Sequence, residues 1–118
     1  MIIRPGSVPE EPRPENALVL RRILTADDTL NLSVTWVRLD GRHQRIVNPA
    51  CDRAYYVIEG SARFRVGDGA SVEDVTTGDF VYIPHGTPYE FEGRMTYVVV
   101  NGPAFTPGSD EVLPSTLA

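Results

Sequence analysis

The sequence has little of what disulfides, zinc clusters and membrane spans require. One cysteine and two histidines stand among 118 residues, so an internal disulfide is excluded and no paired-cysteine zinc motif exists. No stretch approaches the roughly 18 consecutive apolar residues of a spanning helix. No basic run is longer than Arg21-Arg22, and the net charge is -5. That balance argues against a phosphate-backbone footprint and hence against a nucleic-acid partner. Tryptophan occurs once, and no segment carries a convincing helical period. The opening residues Met1-Ile2-Ile3-Arg4-Pro5 meet charge and proline too early to build a signal-peptide core. The expectation is a cytoplasmic protein with no membrane partner.

What is present fits one folded domain. At 42% hydrophobic and 23% charged the composition is that of a globular chain, and a domain of this length buries roughly two thirds of its unfolded surface. Residues 1–16 hold four of the ten prolines and read as an extended arm. Leu18 to Leu24 and Leu30 to Leu39 read as strands around an Ala26-Asp27-Asp28 turn, the second being rich in β-branched and aromatic residues. Asp40-Gly41 signals another turn. Ala62, Phe64 and Val66 alternate with Arg63 and Arg65, the period of a half-buried strand, and Gly67-Asp68-Gly69 closes a hairpin. Val72 to Val75, Phe80 to Ile83, Tyr89 to Phe91 and Met95 to Val100 complete a series of short strands. Such a series implies a sandwich or barrel over 17–105, with 106–118 as a tail lying over the surface or across a neighbouring subunit.

Two motifs sharpen that reading. Gly78-Asp79-Phe80-Val81-Tyr82-Ile83-Pro84-His85-Gly86-Thr87-Pro88-Tyr89 resembles the second cupin motif, with tyrosine where the histidine stands. Tyr55-Tyr56-Val57-Ile58-Glu59-Gly60 resembles the end of the first. The resemblance, over roughly Leu30 to Asn101, implies an all-β fold: a cupin-type antiparallel β-barrel, the double-stranded β-helix or jelly roll. In that family three imidazoles and a carboxylate hold a transition metal inside the barrel. Counting back from Gly60 places Arg53 at the carboxylate position, with Ile46 and Asn48, or Val47 and Pro49, at the two histidine positions. A guanidinium stays protonated and has no lone pair for a cation. No cofactor is therefore expected. The fallback ligands for a displaced metal are His43, Cys51, Asp52 and His85. Of these, His43 and His85 read as solvated loop or turn residues and Cys51 as an inert small hydrophobe.

The replacements suggest chemistry of their own. Tyr89 and Phe91 alternate with Glu90 and Glu92, so the aromatics should point inward and the acids to water. Arg53 shares a face with Tyr55 and Val57, which the resemblance places inside. An inward Arg53 beside Tyr89 would bind an anion or stabilise a developing oxyanion; the alternative is an Arg53 paired with Asp52 or a glutamate at the barrel mouth and a Tyr89 that is plain core. Asn48, Tyr55, Val57, Phe64, Phe91 and Trp36 are candidates for lining a substrate site, although Trp36 also reads as packing.

Three functions remain open. The first is a metal-independent enzyme performing isomerisation, cyclisation, dehydration or lyase chemistry on an anionic or carbonyl-bearing substrate, with Arg53 and Tyr89 as catalytic residues. The second is a binding or sensing module for a small molecule. The third is a dioxygenase-type metalloenzyme with unorthodox ligands. The resemblance also implies a homodimer, formed through sheet edges and exchanged N-terminal strands.

Overall fold

In the computed structural model, which describes residues 1–117, the chain is a cupin-type antiparallel β-barrel. Its described strands are β1 (Glu11–Arg13), β2 (Leu18–Leu24), β3 (Ser33–Val47), β4 (Asp52–Val66), β5 (Glu73–Thr76), β6 (Phe80–Ile83), β7 (Tyr89–Gly102) and β8 (Glu111–Leu113). The sheet runs in the order β1-β2-β3-β7-β4-β5. β6 pairs with the first half of β4, and β8 with the end of β3. β7 is the spine, bonded along its length to β3 on one side and β4 on the other.

Three long strands replace several of the short ones expected. Asp40-Gly41 does not end a strand: β3 continues through it to Val47, with Gly41 opposite Gly93 of β7. Likewise Tyr89 to Phe91 and Met95 to Val100 are one strand that runs through Gly93. Glycine is needed at Gly60 and Gly93 because the paired strands β4 and β7 approach closely there. A Cβ on Gly60 would lie 2.2 Å from the Arg94 carbonyl oxygen, and one on Gly93 would lie 2.4 Å from that of Ser61. Both also hold positive φ, 95° and 156°, where a side chain is strained.

Strand alternation builds the core. Val37 and Leu39 of β3, Tyr55 and Val57 of β4, and Phe91, Met95 and Tyr97 of β7 all point inward and are buried. A register shift between His43 and Ile46 changes the parity of β3, so that Val37, Leu39 and His43 face inward before it and Ile46 and Asn48 after it. Of the two alignments open in the sequence, this selects Ile46 and Asn48 as the inward pair; Pro49 is exposed.

The termini are less loose than their composition suggests. The arm contributes β1, which pairs with β2, and two short 3-10 turns at Pro5–Ser7 and Pro14–Asn16. The tail contributes β8, and its end seals Glu90. That residue was expected in water; it is fully buried, its carboxylate accepting bonds from the Ser115 hydroxyl, the Thr116 backbone N–H and the Leu117 backbone N–H. It does point out of the barrel, as alternation requires, but the tail covers that spot.

Candidate functional site

A cavity of about 360 Å³ opens at one end of the barrel, within the size range of small-molecule sites. Its walls come from Leu18, Leu20 and Arg22 of β2, Thr35, Val37 and His43 of β3, and Tyr97, Val99 and Asn101 of β7. Arg53 and Tyr55 rise from β4. The arm adds Arg13, Glu15 and Asn16, and the loop before β8 adds Phe105 and Asp110. A larger trough of about 820 Å³ lies outside the barrel between Arg42, Arg63, Asp74 and Arg94, away from the buried polar groups.

Arg53 is inside and only 5% exposed. Its Nε donates to Asn101 Oδ1 at 2.6 Å, Nη1 to the Tyr89 hydroxyl at 2.7 Å, and Nη2 to Asp110 Oδ1 at 2.7 Å. Burial alone would lower its pKa, but Tyr89, Tyr55 and Asp110 outweigh that and hold it more firmly protonated. Its acidic partner is thus neither Asp52 nor a glutamate but Asp110, a residue no local pattern singles out. The guanidinium fork is partly occupied by this internal carboxylate. With Glu15 also present, the cavity is close to charge-balanced rather than strongly basic.

Tyr89 is 2% exposed, and its hydroxyl is also 2.6 Å from that of Tyr55. Tyr89 is not part of the cavity wall, whereas Tyr55 is. Arg53, Tyr89 and Tyr55 therefore form a hydrogen-bonded series with Arg53 and Tyr55 at the cavity and Tyr89 behind its wall. If Tyr89 accepts from Arg53 and donates to Tyr55, the Tyr55 proton is free to point into the cavity. Burial raises the pKa of Tyr55, Tyr89 and Tyr97, so all three are neutral donors near neutrality. The Tyr97 hydroxyl has no hydrogen-bond partner among the described residues, yet it is not a sealed, unsatisfied atom; it faces the cavity wall it helps to form.

His43 overturns its expected place in a solvated loop. It is 7% exposed, on β3, with its ring stacked 4.5 Å from Phe91. The missed signal was the alternation Val37, Leu39, Gly41, His43, which runs straight through the apparent turn. Burial lowers its pKa to about 4, against the raising effect of the Gln44 carbonyl. Its Nδ1 lies 2.7 Å from that carbonyl oxygen, which can only accept. Nδ1 therefore carries the proton, and Nε2 keeps its lone pair with no partner among the described residues. The result is a neutral imidazole at the cavity with a free basic nitrogen.

The remaining candidates scatter. Asn48 is buried, but its side chain caps the backbone N–H groups of Ala50 and Cys51 and bonds Ser109 and Asp110, so it shapes the loop holding Asp110. Val57, Phe64 and Phe91 pack beneath the site, with Phe64 and Phe91 stacked at 4.5 Å. Trp36 lies on the outer face, opposite in parity to Val37 and between the guanidinium groups of Arg21 and Arg38; it does not line the cavity. The fallback ligands lie apart. Cys51 donates to the Pro103 carbonyl oxygen, while the exposed His85 pairs with Asp52 at 2.8 Å. No group of three His, Cys, Asp or Glu side chains converges among the described residues. The positions that the resemblance gives to metal ligands hold Ile46, Asn48, Arg53 and Tyr89, all buried. The chain has no lysine, so no side-chain amine is available for a Schiff base.

No protein-family profile matches the chain, and no curated protein matches it in sequence. Solved structures do. Streptomyces Pac13, described as a unique nucleoside dehydratase, superposes with a TM-score of 0.82 at 18% identity over 96% of this chain and 90% of that one. The fold is shared. Pac13 has also been solved with uridine as a histidine-to-glutamine variant and as two tyrosine-to-phenylalanine variants. Oxalate decarboxylase from Bacillus subtilis superposes with a TM-score of 0.78 at 22% identity, over 92% of this chain but 31% of that one. No helix of the described residues is long and apolar enough to cross a membrane.

Proposed function

We propose that the protein is a metal-independent enzyme that removes water from a small, uncharged hydroxy-carbonyl substrate. The observation that carries this reading is the pairing, in one cavity, of a neutral His43 bearing a free Nε2 with the Tyr55 phenol at the end of the Arg53–Tyr89–Tyr55 series. A base and an oxyanion donor are what proton abstraction next to a carbonyl needs. His43 Nε2 takes the proton from the carbon beside the carbonyl, and the electron pair moves onto the carbonyl oxygen, which accepts from Tyr55 and Tyr97. The enolate then expels the hydroxyl on the next carbon. That hydroxyl leaves as water with the proton carried by His43, and the product is an α,β-unsaturated carbonyl. Atoms and charge balance without a redox partner.

Arg53 acts at one remove: its charge stabilises electron density arriving at Tyr55 through Tyr89. The roles given to Tyr89 and Tyr55 from sequence are thereby exchanged, with Tyr55 touching substrate and Tyr89 connecting it to the charge. The small net charge of the cavity wall, where Arg13, Arg22 and Arg53 face Glu15 and Asp110, favours the carbonyl-bearing class over a strongly anionic one. The likeness to a nucleoside dehydratase supports the reaction type, and the fact that its solved variants alter one histidine and two tyrosines is in keeping with these side chains. The set Ile46, Asn48, Arg53 and Tyr89 at the cupin ligand positions, which has no imidazole or carboxylate and offers at most a weak amide oxygen and a phenol that already bonds Arg53 and Tyr55, supports metal independence. We place the protein in the cytoplasm as a homodimer, with a small molecule as its remaining partner.

The test is a panel of β-hydroxy aldehydes and ketones on sugar and nucleoside frames, followed by the ultraviolet absorbance of the conjugated product. Turnover by the native protein, lost in His43→Gln and reduced about a hundredfold or more in Tyr55→Phe, is the expected outcome. Turnover unchanged in both variants would remove these residues from the mechanism. Saturable binding of uridine or a related compound without turnover of any panel member would favour the non-catalytic binding protein instead.

A further inference from the structure

We propose that Asn16, carried on the proline-rich arm, is a positioning residue that fixes which nitrogen of His43 keeps its lone pair for the cavity. This role rests on the reading of His43 as the base, and it makes the arm a working part of the site.

The need for such a residue arises in β3. The register against β7 shifts between His43 and Ile46, and residues inside such an irregularity are left without their ladder partners. Gln44 lies there, with no cross-strand partner on β7 or β8. Its backbone N–H donates instead to Asn16 Oδ1 at 2.8 Å, and its carbonyl oxygen is the acceptor 2.7 Å from His43 Nδ1. A backbone N–H can only donate, so the Asn16 amide must turn its oxygen toward Gln44. The two bonds hold the peptide groups on either side of the Gln44 α-carbon. Asn16 grips one, and the other presents its carbonyl to His43.

Phe91, stacked on the imidazole at 4.5 Å, sets the plane of the ring but does not distinguish it from the same ring turned over. The Gln44 carbonyl does. It accepts the Nδ1 proton, whereas a turned ring would set carbon against that oxygen and deprive Nδ1 of its partner. Proton abstraction needs a lone pair on the nitrogen in the cavity. Once the Gln44 carbonyl is free to turn away, the proton can reside on Nε2, and that form of the ring has no basic nitrogen there.

Asn16 is itself held in place from both sides of His43. The turn Pro14–Asn16 ends in Ala17, at φ 53° and ψ 38°, a left-handed conformation that a residue with a side chain adopts only at a cost. The Ala17 carbonyl oxygen accepts from the Asp40 N–H at 2.9 Å. Its Cβ would lie 2.8 Å from one on Gly41, so glycine at that position lets the turn dock. The arm is thus clamped to β3 before His43, at Asp40, and after it, at Gln44. Strain of this kind persists where the surroundings over-determine the backbone, and it gathers at functional sites. Here it directly follows Asn16, which lines the cavity together with His43.

Proton–nitrogen correlation spectra of protein carrying isotope-labelled histidine, taken at neutral pH, locate the ring proton without any substrate. The His43 signals are identified by their loss in His43→Gln. Asn16→Ala removes the acceptor and Asn16→Asp keeps one; Asn16→Gln, which displaces the acceptor by one methylene, takes the place of Asn16→Ala if that variant does not fold. The expected result is a proton on Nδ1 in the native chain and in Asn16→Asp, and a mixture of both forms in Asn16→Ala. With a substrate that the native protein turns over, kcat should fall about five- to tenfold in Asn16→Ala with little change in KM, and recover in Asn16→Asp. A lowered Tm with the proton still on Nδ1, or native spectra and turnover in Asn16→Ala, overturns the proposal and leaves His43 as the base. A proton on Nε2 in the native chain overturns both. A ring proton that responds to Asn16 in a protein without turnover supports the positioning role and removes the catalytic reading alone.

Discussion

Replacing Glu90 by glutamine removes one buried charge and leaves its shape and surroundings in place. The native carboxylate is sealed under the tail. Burial by itself raises its pKa, but the Ser115 and Thr116 hydroxyls and the Thr116 and Leu117 backbone N–H groups outweigh it, holding the pKa at about 2 against an ordinary 4.5. At about 1.4 kcal/mol for each pH unit of difference between folded and unfolded chains, the ionised group contributes about 3 kcal/mol at neutrality. Because the folded pKa is the lower one, that contribution is complete above the unfolded value of about 4.5 and disappears as the pH falls through about 2. Glutamine keeps the shape and one carbonyl acceptor, loses the charge, and leaves Arg45, whose Nε lies 3.8 Å from the carboxylate, without its buried partner. We expect Glu90→Gln to unfold about 2 to 3 kcal/mol more easily in urea at neutral pH, with Tm lowered by on the order of 10 °C. The two proteins should converge as the pH approaches about 2. Equal stability at neutrality, or a gap that does not narrow on acidification, would refute the account of Glu90 as an ionised latch.

Three further outcomes follow from the same structure. Because the His43 pKa is lowered to about 4, its base form persists well below the usual histidine range; the acid limb of kcat/KM should fall near that value rather than near about 6.5, and the imidazole resonances in a pH titration by NMR should agree. The same lowering costs stability on acidification between those two values, since the unfolded chain takes up the proton first. Gly60→Ala should lose several kcal/mol or fail to fold, because its Cβ would meet backbone 2.2 Å away at positive φ; soluble yield and urea midpoint measure it, and a native-like midpoint would contradict the close strand approach. Adding iron, manganese, zinc, nickel or copper to chelator-treated protein should leave Tm and elemental content without stoichiometric change, whereas one metal per chain with raised Tm would send the search for ligands to His43 and Asp110.

Local signals carried much of the strand inventory. Phe80 to Ile83 is a strand with those limits, and the Gly67-Asp68-Gly69 turn does connect β4 towards β5. Tyr89 and Phe91 point inward as their alternation requires, because a pleat has a period of two whatever surrounds it. The misreadings came where glycine served two purposes. Asp40-Gly41 carries a turn signature, but Gly41 also permits a strand to pass close to another part of the chain: its Cβ would lie 2.8 Å from that of Ala17. Only the presence of that neighbour decides between the two, and with it the burial of His43. Glu90 shows the same limit from the other side, since alternation sets its direction but not the tail that covers it.

The sequence by itself determined the all-β architecture, the two motif turns, the inward direction of Tyr89, and the poverty of metal-binding side chains at the motif positions, whereas it left the direction of Arg53 open. Each of these rests on residue type, pleat or short-range turn geometry, and so is written within a few neighbouring positions. Tertiary structure decided the rest: the parity change that turns Ile46 and Asn48 inward, the arrival of Asp110 from 57 positions away to meet Arg53, and the placement of His43 Nε2 in the same cavity as Tyr55. These depend on which distant segments meet when the strands close around a common core, and local periodicity has no means of expressing that.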